Sequence, residues 1–522
     1  MPSILPSFHP SVVPCGAGSR AVKRVLIANR GEIACRIIRA CHEEGIEAVA
    51  VYSEADRQSP HVRAADTAVE IGPPPAKDSY LNVDRLLGAA RHSGADAVHP
   101  GYGFLAERAH FAEAVEQAGL TFIGPPAAAI RAMGEKTEAR RRMAAAGIPV
   151  VPGTNDPVRD AAEASQVARE IGFPVMLKAV AGGGGKGMRR VEDSSGIASA
   201  FKAASSEAQS AFGDGAIYLE KFLECPRHVE IQVLADRFGH CVHLGERECS
   251  VQRRHQKLIE ECPSPAVDID LRIAMGKAAV QAATSVGYLG AGTVEFLLTP
   301  GGRFYFLEMN TRLQVEHPVT EMVYGVDIVR EQLRIAAGES TTVPGRPMRP
   351  RGHAIECRIT SEDPFNGFLP ATGRIEFLRI PTGPGVRWDG GIETGNTIGL
   401  FYDPLIGKLI AWGETRDRAI RRMRRALDEL VIVGLPTSQP FHRRVLDDPV
   451  FLSGDYDTDY VQRHGEKLLS TRPARETLEL AAIAAAMAEH EARAAAVPIA
   501  ANGPDAAGES PWLRAARLQG LR

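Results

Sequence analysis

The chain has 522 residues, 44% hydrophobic and 24% charged, with a formal net charge of -3. Such a length predicts two to four domains with ordinary globular cores. The near-neutral balance gives no footprint for nucleic acid or an anionic membrane, and no run of about 18 apolar residues exists to span a bilayer.

The first 20 residues, MPSILPSFHPSVVPCGAGSR, lack acids. Pro2, Pro6, Pro10 and Pro14 would break any helix there, so residues 1–20 read as a disordered extension. From Lys23 an alternating pattern begins. RVLIAN reads as a buried strand, GEIACRIIRACHEEG as a helix stopping at Gly45, and EAVAVYS as the next strand. The rhythm continues through ADAVHPGYGF and LTFIGP, predicting a Rossmann-like α/β domain over residues 21–134. Its first turn, Asn29-Arg30-Gly31-Glu32, lacks GxGxxG, which argues against a dinucleotide site despite Glu54 after the second strand.

A helix around Lys136 to Ala146 leads into a unit over 135–222 that is short enough to be a mobile lid. It contains FPVMLKAV, AGGGGKGMRRV and AIYLEKFL. The run Gly182 to Gly185, followed by Lys186 and Gly187, lets backbone N–H groups approach phosphate, although many hairpins are glycine-rich. It is not a Walker A loop, because no GK[ST] opens a helix. Lys178 and Lys136 could neutralise phosphate charge, or be solvated surface side chains.

A larger mixed region spans 223–465. In ECSVQRRHQKLIEECPSP, alternation allows His255 and Lys257 to point the same way, beside Gln252. This suits a nucleotide or small anion, or equally a charged edge strand. Further on, Glu308, Asn310, Arg312, Gln314 and Glu316 alternate with Met309, Thr311, Leu313 and Val315. On an extended strand the five polar groups share one face. That strand would end near His317-Pro318 and run roughly 26 Å, too long for one metal site. Two subsites are implied, with a bend after Arg312. Glu295 precedes the run by a hairpin through Pro300-Gly301-Gly302. Paired acids followed by amide, guanidinium and carboxylate suggest an Mg-nucleotide site beside an anion site. The plain alternative is a half-buried strand with one wet face.

The tail, 466–522, holds a helical LELAAIAAAMAEHEARAAAV, a linker ANGPDAAGESP and a basic WLRAARLQGLR, which read as a surface helix with a flexible end or a docking segment. Eight cysteines at 15, 35, 41, 225, 241, 249, 262 and 357 include no CxxC pair, which suits a reducing compartment and predicts a cytoplasmic protein.

From about Lys23 to Gly465 the chain resembles the biotin carboxylase family of ATP-grasp enzymes. The resemblance rests on AMGEKTEARRRM, KAVAGGGGKGMR, YLEKFLECPRHVEIQV, ERECSVQRRHQKLIEE, EMNTRLQVEHPVTE and GHAIECRI. It implies a Rossmann-like N-terminal (pre-ATP-grasp) domain, a mobile lid hinged near Val150 and Lys221, and an ATP-grasp C-terminal domain. It further implies that Lys136, Lys178, Gly184, Gly185 and His228 bind ATP phosphate or ribose. Glu220, Lys221, Phe222 and Leu223 would form an adenine-binding strand, and Gln252 and His255 would complete that pocket. Glu295, Glu308 and Asn310 would hold two Mg²⁺ or Mn²⁺ ions. Lys257, Arg312, Gln314 and Val315 would hold bicarbonate, Glu316 would be the general base, Arg358 would stabilise a biotin enolate, and Tyr102 would lie near the biotin ring. Lys186 stands where many relatives carry Arg.

No methionine here is followed by lysine, so the Met-Lys-Met biotin attachment motif is absent from this sequence. Biotin is therefore expected on a separate carrier protein, with carboxyltransferase on another chain. The implied function is the first half-reaction of acetyl-CoA carboxylase. The alternatives are a subunit of two-subunit pyruvate carboxylase or of a propionyl- or methylcrotonyl-type acyl-CoA carboxylase. A carbamoyl phosphate synthase-like ligase and an inactive ATP-binding scaffold are the other classes. A homodimer is implied by Arg39 and Glu43, which match interface positions.

Overall fold

The computed structural model describes residues 22–154, 156–180, 187–346, 348–470 and 475–496. The N-terminal extension, Gly184 and Gly185 of the glycine run, and the linker and basic end of the tail lie outside the described residues. The chain falls into two units, Met1–Leu469 and Ser470–Arg522. In the second, the alanine-rich segment forms the expected helix, Arg475–Ala496.

Among the described residues of the first unit, the α/β reading is realised as a parallel sheet. Its strands are β1 (Arg24–Ile27), β2 (Glu47–Ser53), β3 (Thr67–Gly72), β4 (Ala97–His99) and β5 (Thr121–Phe122), in the order β3-β2-β1-β4-β5. Parallel strands are covered on both faces, so after Arg24 the strand β1 continues as the unbroken apolar run Val25-Leu26-Ile27. The helix Gly31–Glu43 buries Ile33, Ala34, Ile37, Ile38 and Cys41, a stripe at helical spacing. The chain then reverses through Gly45 at φ 70°.

A three-stranded antiparallel sheet follows, with β6 (Val175–Ala179) between β7 (Met188–Val191) and β8 (Ile217–Lys221). The two chain segments that join it to the rest run side by side. Thr154 N–H donates to Leu219 O at 2.8 Å, and Lys221 N–H to Pro152 O at 2.7 Å. Gly153 is required in this crossing, because a Cβ would sit 2.3 Å from Leu219 O.

The largest layer is an antiparallel sheet. It contains β9 (Arg227–Ala235), β10 (Cys241–Arg253), β11 (Gln256–Cys262), β12 (Gly290–Leu298), β13 (Phe304–Asn310) and β14 (His353–Thr360), with the strands Leu405–Gly413 and Val386–Gly390 beyond. The order is β13-β12-β9-β10-β11-β14, then those two. The segment with His255 and Lys257 is thus interior, not a charged edge strand. The alternating run is not one continuous strand. β13 ends at Asn310, and residues 311–316 form a loop before the helix His317–Tyr324. Glu308 and Asn310 lie on the strand, whereas Arg312, Gln314 and Glu316 do not. Alternation alone could not reveal this, since loop residues wrapped around buried polar groups show the same pattern.

Glu261 of β11 ties three elements together. It accepts from Arg416 through both oxygens, at 2.7 and 3.0 Å, and contacts His353 of β14 and the Tyr456 hydroxyl. Burial pushes its carboxyl up, but His353 and Arg416 outweigh burial and hold it at about 2, below the usual 4.5. A depressed carboxyl stabilises the fold above its unfolded pKa, and this contribution is lost as pH falls through the folded one. Acid unfolding of the protein should therefore steepen as pH drops from about 4.5 toward about 2. Glu261→Gln should flatten that limb in pH-dependent urea melts.

Candidate active site

In-register pairing aligns charged groups across the large sheet. Glu308 of β13 faces Glu295 of β12, Glu295 faces Glu230 of β9, and Glu230 faces Arg247 of β10. A row of three acids and one guanidinium thus crosses four strands on one face. On the neighbouring pair, β11 carries one extra residue: Val251 pairs with Ile259, but Gln252 pairs with Lys257. This bulge at Leu258 shifts the side-chain alternation, so Lys257 and Glu260 both reach the same site. The β10–β11 hairpin turns through Arg254 and His255, both left-handed at φ 49° and 65°. Non-glycine residues bear strain in that region, and such strain concentrates at functional sites.

Lys257 is the hub. Its Nζ donates to Glu230 Oε2 at 2.6 Å, Glu295 Oε1 at 2.9 Å and Glu316 Oε1 at 2.6 Å. Burial alone would lower its pKa, but the three carboxylates raise it well above the ordinary lysine value. Glu316 shows the converse. Burial lifts it, and Lys257 and Arg358 override the lift and hold it well below the usual carboxylate range. Arg358 Nη2 donates to Glu316 Oε2 at 2.9 Å and its Nε to Glu260 Oε1 at 2.5 Å. Arg247 is wholly buried and bonds Glu230, Gln232, Thr293 and Thr320.

The loop after β13 closes onto this row. Gln314 Nε2 donates to Glu295 Oε1 at 3.0 Å, and Arg312 donates to Gln314 Oε1 at 2.8 Å and Asn310 Oδ1 at 3.0 Å. Arg312 Nε also lies 3.0 Å from Glu107 Oε2. Lys408 Nζ anchors the loop from behind by donating to Val315 O at 2.7 Å.

Between the large sheet and the three-stranded sheet lies a cleft of about 950 Å³. Its lining includes Lys178, Glu220, Lys221, Phe222, Leu223, His228, Gln252, His255, Lys257, Glu295, Glu308, Asn310, Arg312, Gln314, Val315 and Arg358. Lys136 is not among the lining residues, but its amine feels the charges of Glu308 and Lys178. Tyr102 also stands back from the cleft, bonded to Glu32 with Lys408 5.9 Å over its ring. Glu220 is committed to Lys178 and to Arg140, the latter at 3.0 Å. His228 Nε2 lies 3.0 Å from Glu295 Oε2, and that carboxylate raises the imidazole pKa against the effect of burial. Sequence reasoning missed Glu230, Arg247, Glu260, Glu107 and Lys408. The signal for Glu230 was available, since VEIQV places Glu230 and Gln232 at alternate positions of a strand that is otherwise apolar.

Glu295, Glu308 and Asn310 present two carboxylates and an amide oxygen, the hard donors that Mg²⁺ prefers. Burial and the neighbouring Glu295 charge push the Glu308 carboxyl up. A divalent cation between them would relieve that repulsion, so the residues present fit the ion.

A nucleotide-sized cleft between two antiparallel sheets, with acids for a divalent cation and cations for an anion, defines an ATP-dependent ligase of the ATP-grasp type. Residues 21–130 match the model for "Biotin carboxylase, N-terminal domain", 135–343 that for "Carbamoyl-phosphate synthase L chain, ATP binding domain", and 356–463 that for "Biotin carboxylase C-terminal domain". A biotin carboxylase from Nostoc sp. is 54% identical over 84% of this chain and 98% of that protein. A pyruvate carboxylase subunit from Methanothermobacter thermautotrophicus is 52% identical over 84% of this chain and 90% of its own. A biotin carboxylase from Campylobacter jejuni, solved as a β-γ-ATP complex, superimposes with TM-score 0.82 at 46% identity, covering 85% of this chain and 99% of that one. The chain belongs to the biotin carboxylase family.

Removing the hub cation leaves three buried carboxylates without their common partner. Lys257→Met should lower unfolding free energy by about 3–5 kcal/mol. Chemical denaturation at neutral pH measures this, and binding of a divalent cation should recover part of the loss.

Proposed function

We propose that this chain carboxylates biotin held on a separate carrier protein, using ATP and bicarbonate, as the first half-reaction of acetyl-CoA carboxylase. The observation that carries the chemistry is the Lys257–Glu316–Arg358 array, a buried carboxylate held between two cations that line the cleft. A solved relative, the 2-oxoglutarate carboxylase biotin carboxylase domain of Hydrogenobacter thermophilus, is described as a dimer with MgADP and bicarbonate. It is 46% identical and superimposes with TM-score 0.83, covering 87% of this chain and 100% of that one.

In this reading Lys136, Lys178, Gly184, Gly185, His228, Gln252 and His255 bind the nucleotide, with the segment Glu220 to Leu223 beside the adenine. Glu295, Glu308 and Asn310 would hold Mg²⁺ or Mn²⁺, which supplies charge neutralisation for the phosphates. Arg312 grips bicarbonate with a planar fork, assisted by Lys257, Gln314 and Val315. As bicarbonate draws Lys257 toward itself, Glu316 loses part of the charge that depresses its pKa. It then becomes a better base and takes the bicarbonate proton. Bicarbonate oxygen attacks the γ-phosphorus and ADP leaves, giving carboxyphosphate. Decay of carboxyphosphate yields CO₂ and phosphate. Phosphate removes the biotin N1 proton, Arg358 offsets the developing enolate charge, and N1 attacks CO₂. Tyr102 serves the biotin end indirectly through Glu32 and Lys408.

The Nostoc biotin carboxylase and the Methanothermobacter pyruvate carboxylase subunit match to similar extents, so the corresponding role in a two-subunit pyruvate carboxylase is the second reading. A homodimer through the surface bearing Arg39 and Glu43 is part of the proposal. These two residues line a hollow with Arg36, Glu321 and Arg387, a charged surface suited to self-complementary pairing.

ADP release should require bicarbonate and rise when free biotin is added; no stimulation by the pair would refute the reading. Glu316→Gln should cut biotin carboxylation by about 10²-fold or more with nucleotide affinity retained. Arg312→Lys should raise the KM for bicarbonate by about tenfold, because one point charge replaces a bidentate grip. Pull-down of the native carrier and carboxyltransferase, with assay of acetyl-CoA against pyruvate, decides the acceptor.

A further inference from the structure

Behind Arg358 lie two acids to which the reaction above assigns no work. Glu260 of β11 and Glu356 of β14 are direct cross-strand partners, and both are fully buried. Directly opposed side chains on neighbouring strands stand about 5 Å apart at Cβ. Arg358 follows Glu356 by two positions on the same strand, so it shares their face. Arg358 Nε bonds Glu260 and Nη2 bonds Glu316. Among the described residues Nη1 has no protein partner, and Arg358 lines the cleft while Glu260 and Glu356 do not.

The surrounding cations are already engaged. Lys408, from the next strand, gives its ammonium to Val315 O and to Glu32 at 3.2 Å. Both Glu356 oxygens and Glu260 Oε2 are buried without a hydrogen-bond partner. The other charged or titratable groups that interact with the pair are Glu316, Lys257, Tyr102, Cys249 and Cys357. Glu260 has a bonded cation in Arg358, whereas Lys408, the strongest charge opposing the lift at Glu356, is held by Val315 O and Glu32, so a second ionised carboxylate would stand unpaired in a dry place.

We infer that Glu260 and Glu356 are positioning residues for Arg358, in which Glu260 is the carboxylate that fixes Nε and Glu356 is its neutral, protonated neighbour. This arrangement aims the free Nη1 into the cleft and leaves one negative charge, rather than two, behind the guanidinium. Burial lifts both carboxyls. The Arg358 charge is the strongest force opposing the lift at Glu260, whereas at Glu356 burial carries the carboxyl well above its usual range. The inference rests on the reading that Arg358 meets the biotin enolate.

The test compares ADP release by the full chain with and without free biotin, across neutral to alkaline pH. Glu260→Gln should lower biotin-dependent kcat by about tenfold or more and biotin-independent release by clearly less, so that the ratio of the two rates falls. Glu356→Ala should lower the biotin-dependent rate, and Glu356→Gln, which mimics the neutral acid, should rescue it and weaken the alkaline decline caused by losing the Glu356 proton. Equal loss of both activities in Glu260→Gln marks a merely structural role and overturns the inference. So does a loss in Glu356→Gln as large as that in Glu260→Gln. The two glutamine variants are nearly isosteric and remain informative if the alanine variant fails to fold. Arg358→Gln is the control. If it leaves biotin-dependent release intact, the reading of Arg358 fails and the inference falls with it. If it abolishes that release while Glu260→Gln does not, only the inference falls.

Discussion

One ammonium group holds this site together. Lys257 binds carboxylates from β9, from β12 and from the loop after β13, and none of the three could be buried as an ion alone. Its position depends on the bulge at Leu258, without which Lys257 and Glu260 would face opposite sides of the sheet. The loop that carries Arg312, Gln314 and Glu316 is then shaped from the front by Lys257 and Arg358 and from behind by Lys408. Charge pairing therefore decides the local fold here as much as apolar burial does.

Such a network is a poor way to gain stability, because desolvation of buried ions offsets much of their attraction. Its value lies in preorganisation. Donors and acceptors stand fixed before substrate arrives, so little reorganisation is needed when charge moves. The same arrangement explains the low pKa of Glu316. A carboxylate clamped by two cations is held in its ionised form, and an anion that competes for those cations raises its basicity. Under the proposed function, the base is thus coupled to the presence of its own substrate.

The three-stranded sheet joins the rest through a narrow neck. Its two connections lie side by side at Pro152–Thr154 and Leu219–Lys221, so rotation about this narrow neck would widen or close the cleft without disturbing the large sheet. Lys178 and Glu220 come from this sheet, whereas Glu295 and Glu308 come from the other. Under the proposed function, nucleotide contacts are therefore divided between two layers, and the metal and anion groups belong to one.

The amino-acid sequence by itself determined the α/β rhythm of the N-terminal sheet, the helix Lys136–Ala145, and the pairing of Glu295 with Glu308 through a hairpin. These are short-range features, written in periodicity and turn residues. Long, specific motifs also made the family legible. Only the tertiary structure decided where β13 stops, that β11 is interior, and that Glu230, Arg247, Glu260 and Lys408 belong to the site. Alternation records which side chains are polar. It does not record which distant strand supplies the opposite charge, and it cannot show a single inserted residue turning Lys257 toward Glu316. Those outcomes depend on long-range pairing and on the cost of leaving a buried charge alone.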